Sequence, residues 1–317
     1  MKVRDRVAYS ARALALTLAL AGWLVAGPVL AESTPPSAAK TQDSTTVGQV
    51  VVQGRSPRAK KALEKAVAQF LHDMGRPGPF GQISRWAEPV CPITAGLTPA
   101  LDRFVNQRIR EIAARVGAPG AGDCGKGGNV MVMFTTKPDQ LMSDIREHHE
   151  GLLGYHYVGE TKSLAAFQPP MKSWYITTTS IQGGDFVMLD RAYAPGPPGG
   201  TASRIPPPLQ SRFAFALVVV DANLLDGEEI GPVADRIAML ALSKPAARTA
   251  CSSLPSVMDF LTMCPGPPAL GLTDYDEAYL KALYAYKGSE LRYFERRSLA
   301  RQIVKGAGLS TPRLAGP

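Results

Sequence analysis

Apolar residues recur every three or four positions in several stretches of the chain, which is the spacing of amphipathic helices. Helices are predicted over 59–74, 98–116, 140–146 and 232–242, and again from Thr273 and from Ser289 onward. Thr98 followed by Pro99 is a typical helix start. Asp276 lies three residues after Thr273, so this pair predicts a capping box at the start of that helix.

Runs of β-branched and aromatic residues predict strands between these helices. The strongest is Phe213–Val220, an unbroken apolar run that is typical of a buried strand. Further strands are predicted over 50–52, 130–134, 174–179 and 186–189. Strands and helices mix without a regular strand–helix repeat. This favours one α+β domain with a central sheet and flanking helices.

The amino terminus has the three-part organisation of a secretory signal peptide. Four basic residues precede an apolar run from Ala13 to Leu24, and small residues follow as far as Ala31. Residues 32–46 are rich in Ser, Thr, Pro and Ala, which predicts a disordered leader. The folded domain is predicted over 47–305, with a flexible tail over 306–317 and no transmembrane segment after cleavage. A retained membrane anchor is the alternative interpretation of the apolar run.

The charge of the chain is modestly positive. Removal of residues 1–31 lowers the formal charge from +8 to +5, and the remaining basic residues are scattered. This pattern gives little support to nucleic-acid binding and is compatible with attraction to an acidic envelope component or protein partner. The basic face of the 98–116 helix could meet such a partner. The competing interpretation is that this face is charged only because it is exposed to water. That face carries Arg103, Arg108, Arg110 and Arg115.

Four cysteines in an exported chain indicate disulfides, because thiols are oxidised outside the cytoplasm. Three connectivities are possible. The pairs Cys91 with Cys124 and Cys251 with Cys264 are favoured, since each closes a local loop rich in Gly and Pro. A zinc cluster is the rival interpretation, but none of the four lies in a CxxC pair.

Three of the four histidines lie close together in sequence, which makes this segment the densest group of possible metal ligands. The candidate ligands are His148, His149, Glu150 and His156. His149-Glu150 begins like HExxH, but Leu153 stands where the second histidine belongs. A solvated, charged helix end is the competing interpretation.

Two acidic residues could serve in a cleft. Asp221 ends the strongest predicted strand, and Asp235 lies in the helix that follows it. Each could equally cap a turn or a helix. The chain has no GxSxG motif, so no catalytic residue and no cofactor is assigned.

The carboxy-terminal third has the order strand, helix, Cys-bounded loop with Ser256-Val257-Met258, then a helix from Leu272-Thr273 to Leu283-Tyr284. This order resembles the zincin metalloproteases, especially the matrixin-like metzincins. The resemblance implies that Met258 is the methionine of the turn beneath the metal site. It also implies that Ala234–Ala238 occupies the place of the zinc-binding HExxH helix, and no histidine stands there.

The segment Arg85-Trp86, with Pro89-Val90-Cys91-Pro92 and the closing Leu-Tyr helix, is also similar to uncharacterised exported proteins of proteobacteria. Because no catalytic motif is intact and the chain is predicted to be folded, exported and mildly basic, we expect a periplasmic or secreted, non-catalytic binding or structural protein of the envelope. The zincin resemblance implies a degenerate zincin-like scaffold. The alternative is a divergent metal-dependent hydrolase that uses His148, His149 or His156.

Overall fold

A mixed sheet of five strands runs through the part of the chain that the structure describes. The strands are β1 (Pro92–Ala95), β2 (Val130–Thr135), β3 (Met171–Ile181), β4 (Val187–Leu189) and β5 (Leu209–Asp221). Their spatial order is β1-β2-β5-β3-β4. β1, β2 and β5 are parallel, whereas β3 lies antiparallel to β5 and to β4. β5 is central and its segment Ala216–Val220 is fully buried, which explains why its sequence is apolar without alternation.

The structure is a computed structural model. It describes residues 57–306 except for 79–80, 121–123, 125–126, 155, 157–158, 169, 182–186, 190–208, 226, 247–250, 252–253, 263, 265–268 and 288–291. The predicted signal peptide, the leader, the strand over 50–52 and the tail beyond residue 306 lie outside the described residues.

Five helices cover one face of the sheet. They are α1 (Pro57–Met74), α2 (Pro99–Arg115), α5 (Ile230–Leu242), α6 (Asp274–Ala285) and α7 (Arg292–Gly306). Their apolar residues form the larger hydrophobic core together with Val130, Val132 and Val218 of the sheet. α5 is buried on all sides from Pro232 to Leu242, and apart from Asp235 and Arg236 the residues of this segment are apolar or small.

The opposite face of the sheet carries a smaller core. It is covered by α3 (Pro138–His148), a 3₁₀ turn (Glu150–Leu153) and the short helix α4 (Thr161–Ala165). Trp174, Leu217 and Val219 point to this face, one residue out of step with the side chains that enter the larger core. The described residues thus form three layers, with helices on both sides of one sheet.

Both disulfides form, with the pairs that their local loops favoured: Cys91 with Cys124, and Cys251 with Cys264. The first lies beside Asn129, whose Oδ1 accepts from the Cys91 backbone N–H at 2.8 Å. The Asn129 Nδ2 donates to the Pro89 carbonyl, also at 2.8 Å. This link fixes the chain where β1 and β2 both begin.

The α+β class with a single sheet and flanking helices is confirmed, and each predicted element in the described range is present with shifted ends. The capping box at Thr273 is confirmed, whereas the Thr98 side chain makes no capping hydrogen bond. β1 was not predicted: it has only four residues, begins with a proline and leaves Ile93 and Ala95 exposed. No helix among the described residues is long and apolar enough to cross a membrane.

Candidate functional site

The candidate site is the buried helix α5, because the zincin resemblance would place a zinc-binding helix there. Ala234 and Ala238 stand at the two positions where such a helix carries histidines, and both are completely buried. Methyl groups offer no lone pair to a metal ion. Downstream, Ala241 and Leu242 are also buried, and the Ser243 hydroxyl donates to the Met239 carbonyl at 2.7 Å. The residues present therefore do not fit a zinc ion.

Asp235 lies between those two alanines and is only 3% exposed. Its carboxylate accepts two hydrogen bonds from the Arg108 guanidinium of α2, at 2.5 and 3.0 Å. It also accepts from the backbone N–H of Leu272 at 3.1 Å. The hydrogen bond to Asp235 is the largest of the effects that raise the pKa of Arg108. The predicted cleft acid is thus an ion-paired group that ties α2 and the start of α6 to α5.

Gly271 shows how closely the chain approaches this carboxylate. A Cβ atom at position 271 would lie 2.8 Å from Oδ2 of Asp235, closer than a carbon and an oxygen can pack without a shift. The approach is needed for the hydrogen bond from the Leu272 N–H. Only glycine leaves enough space there.

The next residue of α5, Arg236, is 2% exposed. One of its guanidinium nitrogens donates to the Glu228 carboxylate at 3.1 Å. The guanidinium carbon lies 3.7 Å from the centre of the Phe260 ring, a cation–π contact. Phe260 belongs to the 3₁₀ turn Val257–Thr262, so this contact docks the turn on α5.

The turn that resembles the methionine turn is held by Asp276 of α6. Asp276 Oδ1 accepts from the Ser256 hydroxyl at 2.6 Å, and Oδ2 accepts from the Val257 N–H at 2.8 Å. Oδ2 also accepts from the backbone N–H and the hydroxyl of Thr273, at 3.0 and 2.9 Å. Burial raises the pKa of Asp276, and these hydrogen bonds oppose the shift. Met258 is 1% exposed and belongs to the same core as α5.

The histidines lie on the other side of the sheet, at the end of α3 and just beyond it. His148 Nδ1 lies 3.2 Å from Oδ1 of Asp144, and both side chains are more than half exposed. The ring centres of His148 and His149 are 6.5 Å apart. His156 Nδ1 lies 2.6 Å from the Gly154 carbonyl, and Glu150 is exposed. Among the described residues no three His, Cys, Asp or Glu side chains are grouped as metal ligands.

Asp221 caps a turn at the end of β5. Its Oδ1 accepts from the backbone N–H and the Nδ2 of Asn223, at 3.0 and 2.8 Å. The other Asn223 contact is a donation to the Thr136 carbonyl at 2.9 Å, which joins the ends of β5 and β2. No described hydrogen bond brings Asp221 together with Asp235.

Two of the four arginines on the predicted basic face of α2 are neutralised. Arg108 pairs with Asp235, and Arg115 lies 3.5 Å from the Glu277 carboxylate. Within the described residues, Arg103 and Arg110 form no ion pair. The face is therefore less basic than its sequence suggested.

A buried ion pair on α7 was not predicted. Glu295 is 2% exposed and lies 3.2 Å from the Arg85 guanidinium. Its other oxygen accepts from the Ile83 backbone N–H at 3.1 Å. These partners are more than two hundred residues apart, so no local pattern could have revealed them.

Comparison with models of known protein families, with curated proteins and with solved structures finds no match.

Proposed function

We propose that this chain is a non-catalytic, exported binding or structural protein of the cell envelope. Its scaffold resembles that of a zincin in which the catalytic helix has become part of the core. The observation that carries the proposal is the state of α5. Ala234 and Ala238 are buried where ligands would stand, and Asp235 between them is bound by Arg108 and the Leu272 N–H.

A catalytic carboxylate must be free to take and give a proton near a substrate. Asp235 is not in that position, because its two oxygens already accept three hydrogen bonds. The chemistry of α5 is therefore that of a structural helix. The turn at Met258 and the cap at Asp276 keep the packing role that such a turn would have beneath a metal site.

Export is supported by the two disulfides, which form in oxidising compartments. The predicted signal peptide at 1–31 is the expected route out of the cytoplasm. Cell fractionation tests this part of the proposal: the disulfide-bonded chain should appear outside the cytoplasm and begin at Glu32. Recovery of the full-length chain from the cytosol with four reactive thiols would contradict it.

The rival hypothesis, a hydrolase that uses the histidine segment, is separated by metal analysis of the purified mature chain. We expect no stoichiometric zinc and an unchanged melting temperature in the presence of a chelator. Zinc bound at one ion per chain, and lost in His149→Ala with His156→Ala, would favour the hydrolase. His72→Ala is the matched control, because His72 is an exposed histidine on α1 outside this segment.

A further inference from the structure

The outer face of α1 carries a stripe of basic residues. Arg58, Lys61 and Lys65 follow one another at three- and four-residue spacing, so they lie on one side of the helix. Lys60 lies outside this stripe, in line with Leu63 and Val67 at the amino-terminal end of the helix. All four are exposed. The opposite side of α1 is buried through Val67, Phe70, Leu71 and Met74.

α7 carries a second stripe of the same kind. Arg297, Arg301 and Lys305 recur every four residues and are exposed. Leu299 and Ile303 on the other side are fully buried. The two helices pack against each other and bury their apolar residues in one core. Both stripes face away from this shared core, and we call the two together the α1/α7 basic surface.

The charge of this surface is uncompensated. Within the described residues, Glu64 is the single exposed carboxylate on α1 and α7, and none of the seven cations forms an ion pair. Basic residues elsewhere are neutralised to a much greater extent. Ion pairs join Arg85 to Glu295, Arg108 to Asp235, Arg115 to Glu277, Arg146 to Glu147, Arg236 to Glu228 and Lys281 to Glu277.

Among the side chains that the structure describes, this surface carries no large exposed apolar group. Strong protein interfaces depend on aromatic or apolar anchors at their centre. The large apolar side chains that the described structure exposes are Ile93, Leu101, Phe104, Leu224 and Leu270, and none of them lies on α1 or α7. Four of the seven cations are lysines, whose point charge needs no fixed partner geometry.

We propose that the α1/α7 basic surface docks the protein on bilayers that contain anionic phospholipids. An array of Lys and Arg without apolar anchors is attracted to such a membrane by charge alone, without insertion. The proposal rests on the proposed export of the chain, which brings it to the envelope membranes. It replaces the α2 face as the surface that meets an acidic envelope component.

Vesicle sedimentation with the mature chain tests this docking. We expect binding to vesicles of phosphatidylglycerol and phosphatidylcholine at about 0.1 M salt, little binding to phosphatidylcholine alone, and release at about 0.5 M salt because the charges are screened. The triple variant Lys61→Gln, Lys65→Gln, Arg301→Gln should bind roughly a hundredfold more weakly, at roughly fivefold for each cation. Circular dichroism and urea unfolding would establish that the variant folds.

The matched control is Arg103→Gln, Lys137→Gln, Lys162→Gln, which removes the same net charge from exposed positions on other elements. We expect this control to retain most of the binding. Equal losses in the two triple variants would overturn the proposed surface, since net charge alone would then explain binding. Failure of the wild-type chain to bind anionic vesicles, or tighter binding to soluble polyglutamate than to vesicles, would overturn the membrane partner. Those failures are distinct from failure of the proposed function, which would show as bound zinc or as cytosolic location.

Discussion

Asp235 is a charged residue in the core whose energetic cost is offset by its partners. Burial of a carboxylate is unfavourable unless hydrogen bonds and an opposite charge replace water. Arg108 and the Leu272 N–H supply both. The residue that the sequence nominated as a cleft acid is therefore expected to matter for stability.

Asp235→Asn preserves the shape of the side chain but removes its charge and one acceptor. We expect the free energy of unfolding to fall by about 2 kcal/mol, because Arg108 loses its buried partner and keeps only the exposed Glu111 at 3.8 Å. Urea unfolding of the mature chain measures the change. Asp139→Asn on the exposed face of α3 is the control and should change stability by less than about 0.5 kcal/mol. Equal effects of the two substitutions would contradict a structural role for Asp235.

At the candidate site, Asp235 could be predicted from the sequence but its pairing with Arg108 could not. Asp235 could be selected because it stands out in an apolar helix. Its partner Arg108 lies 127 residues earlier and looked like one member of a solvated basic face. Only the packing of α2 on α5 distinguishes it from Arg103 and Arg110.

At the scale of elements, predictability follows the strength of the local pattern. β5 and α6 were predictable because one is an unbroken apolar run and the other begins with a capping box. β1 was not, since four residues with two exposed positions do not form a recognisable strand pattern. It becomes a strand because β2 offers it backbone partners from Val130 to Met133. The pairing with β2, and not a pattern in its own sequence, therefore determines that β1 is a strand.

A buried carboxylate adds polar contacts to the apolar packing of α7. Glu295 binds Arg85 and the Ile83 N–H, and burial raises the pKa of this carboxyl. The pKa of Glu295 is higher in the folded state than in the unfolded state, where it is about 4.3. The contribution of Glu295 to stability is therefore fully present below about pH 4.3. It is lost as the pH rises through the folded-state value.

Glu295→Gln should therefore alter the pH dependence of stability. The variant lacks the titrating group, so the stability advantage of the wild-type chain over it should shrink as the pH rises above about 4.3. Urea unfolding at a series of pH values between 4 and 7 gives this difference. Gln302→Ala on the same helix removes no titrating group, and its effect should not change with pH. If the stability advantage of wild type over Glu295→Gln grew with pH, burial would not be what determines the pKa of this carboxyl.

At the scale of the whole molecule, the two disulfides restrain separate parts of one folded unit. Cys91–Cys124 closes a loop that contains β1 and α2, with a sequence separation of 33 residues. Cys251–Cys264 spans 13 residues and encloses the turn at Met258, which packs against α5 and α6. The two loops share no residue, so the stabilising effects of the two bonds should be nearly additive.

Removal of each disulfide should destabilise the protein by a different amount. In the chain-entropy model the loss is about 4 kcal/mol for Cys91→Ala with Cys124→Ala and about 3 kcal/mol for Cys251→Ala with Cys264→Ala. Either loss leaves a folded chain if the total stability is typical, at about 5–15 kcal/mol. The two losses together come to about 7 kcal/mol, since the bonds act on separate loops. Urea unfolding should therefore show lower midpoints for the two double variants and the lowest midpoint for the quadruple variant.

Reduction provides the control for these variants. Dithiothreitol should bring the wild-type chain to the behaviour of the quadruple variant and should leave that variant unchanged. A quadruple variant that unfolds at the same midpoint as either double variant would mean that the two bonds stabilise the same step of unfolding. If instead they act separately, the chain reaches its full stability only where both bonds can form, which is the oxidising compartment to which the signal peptide is expected to direct it.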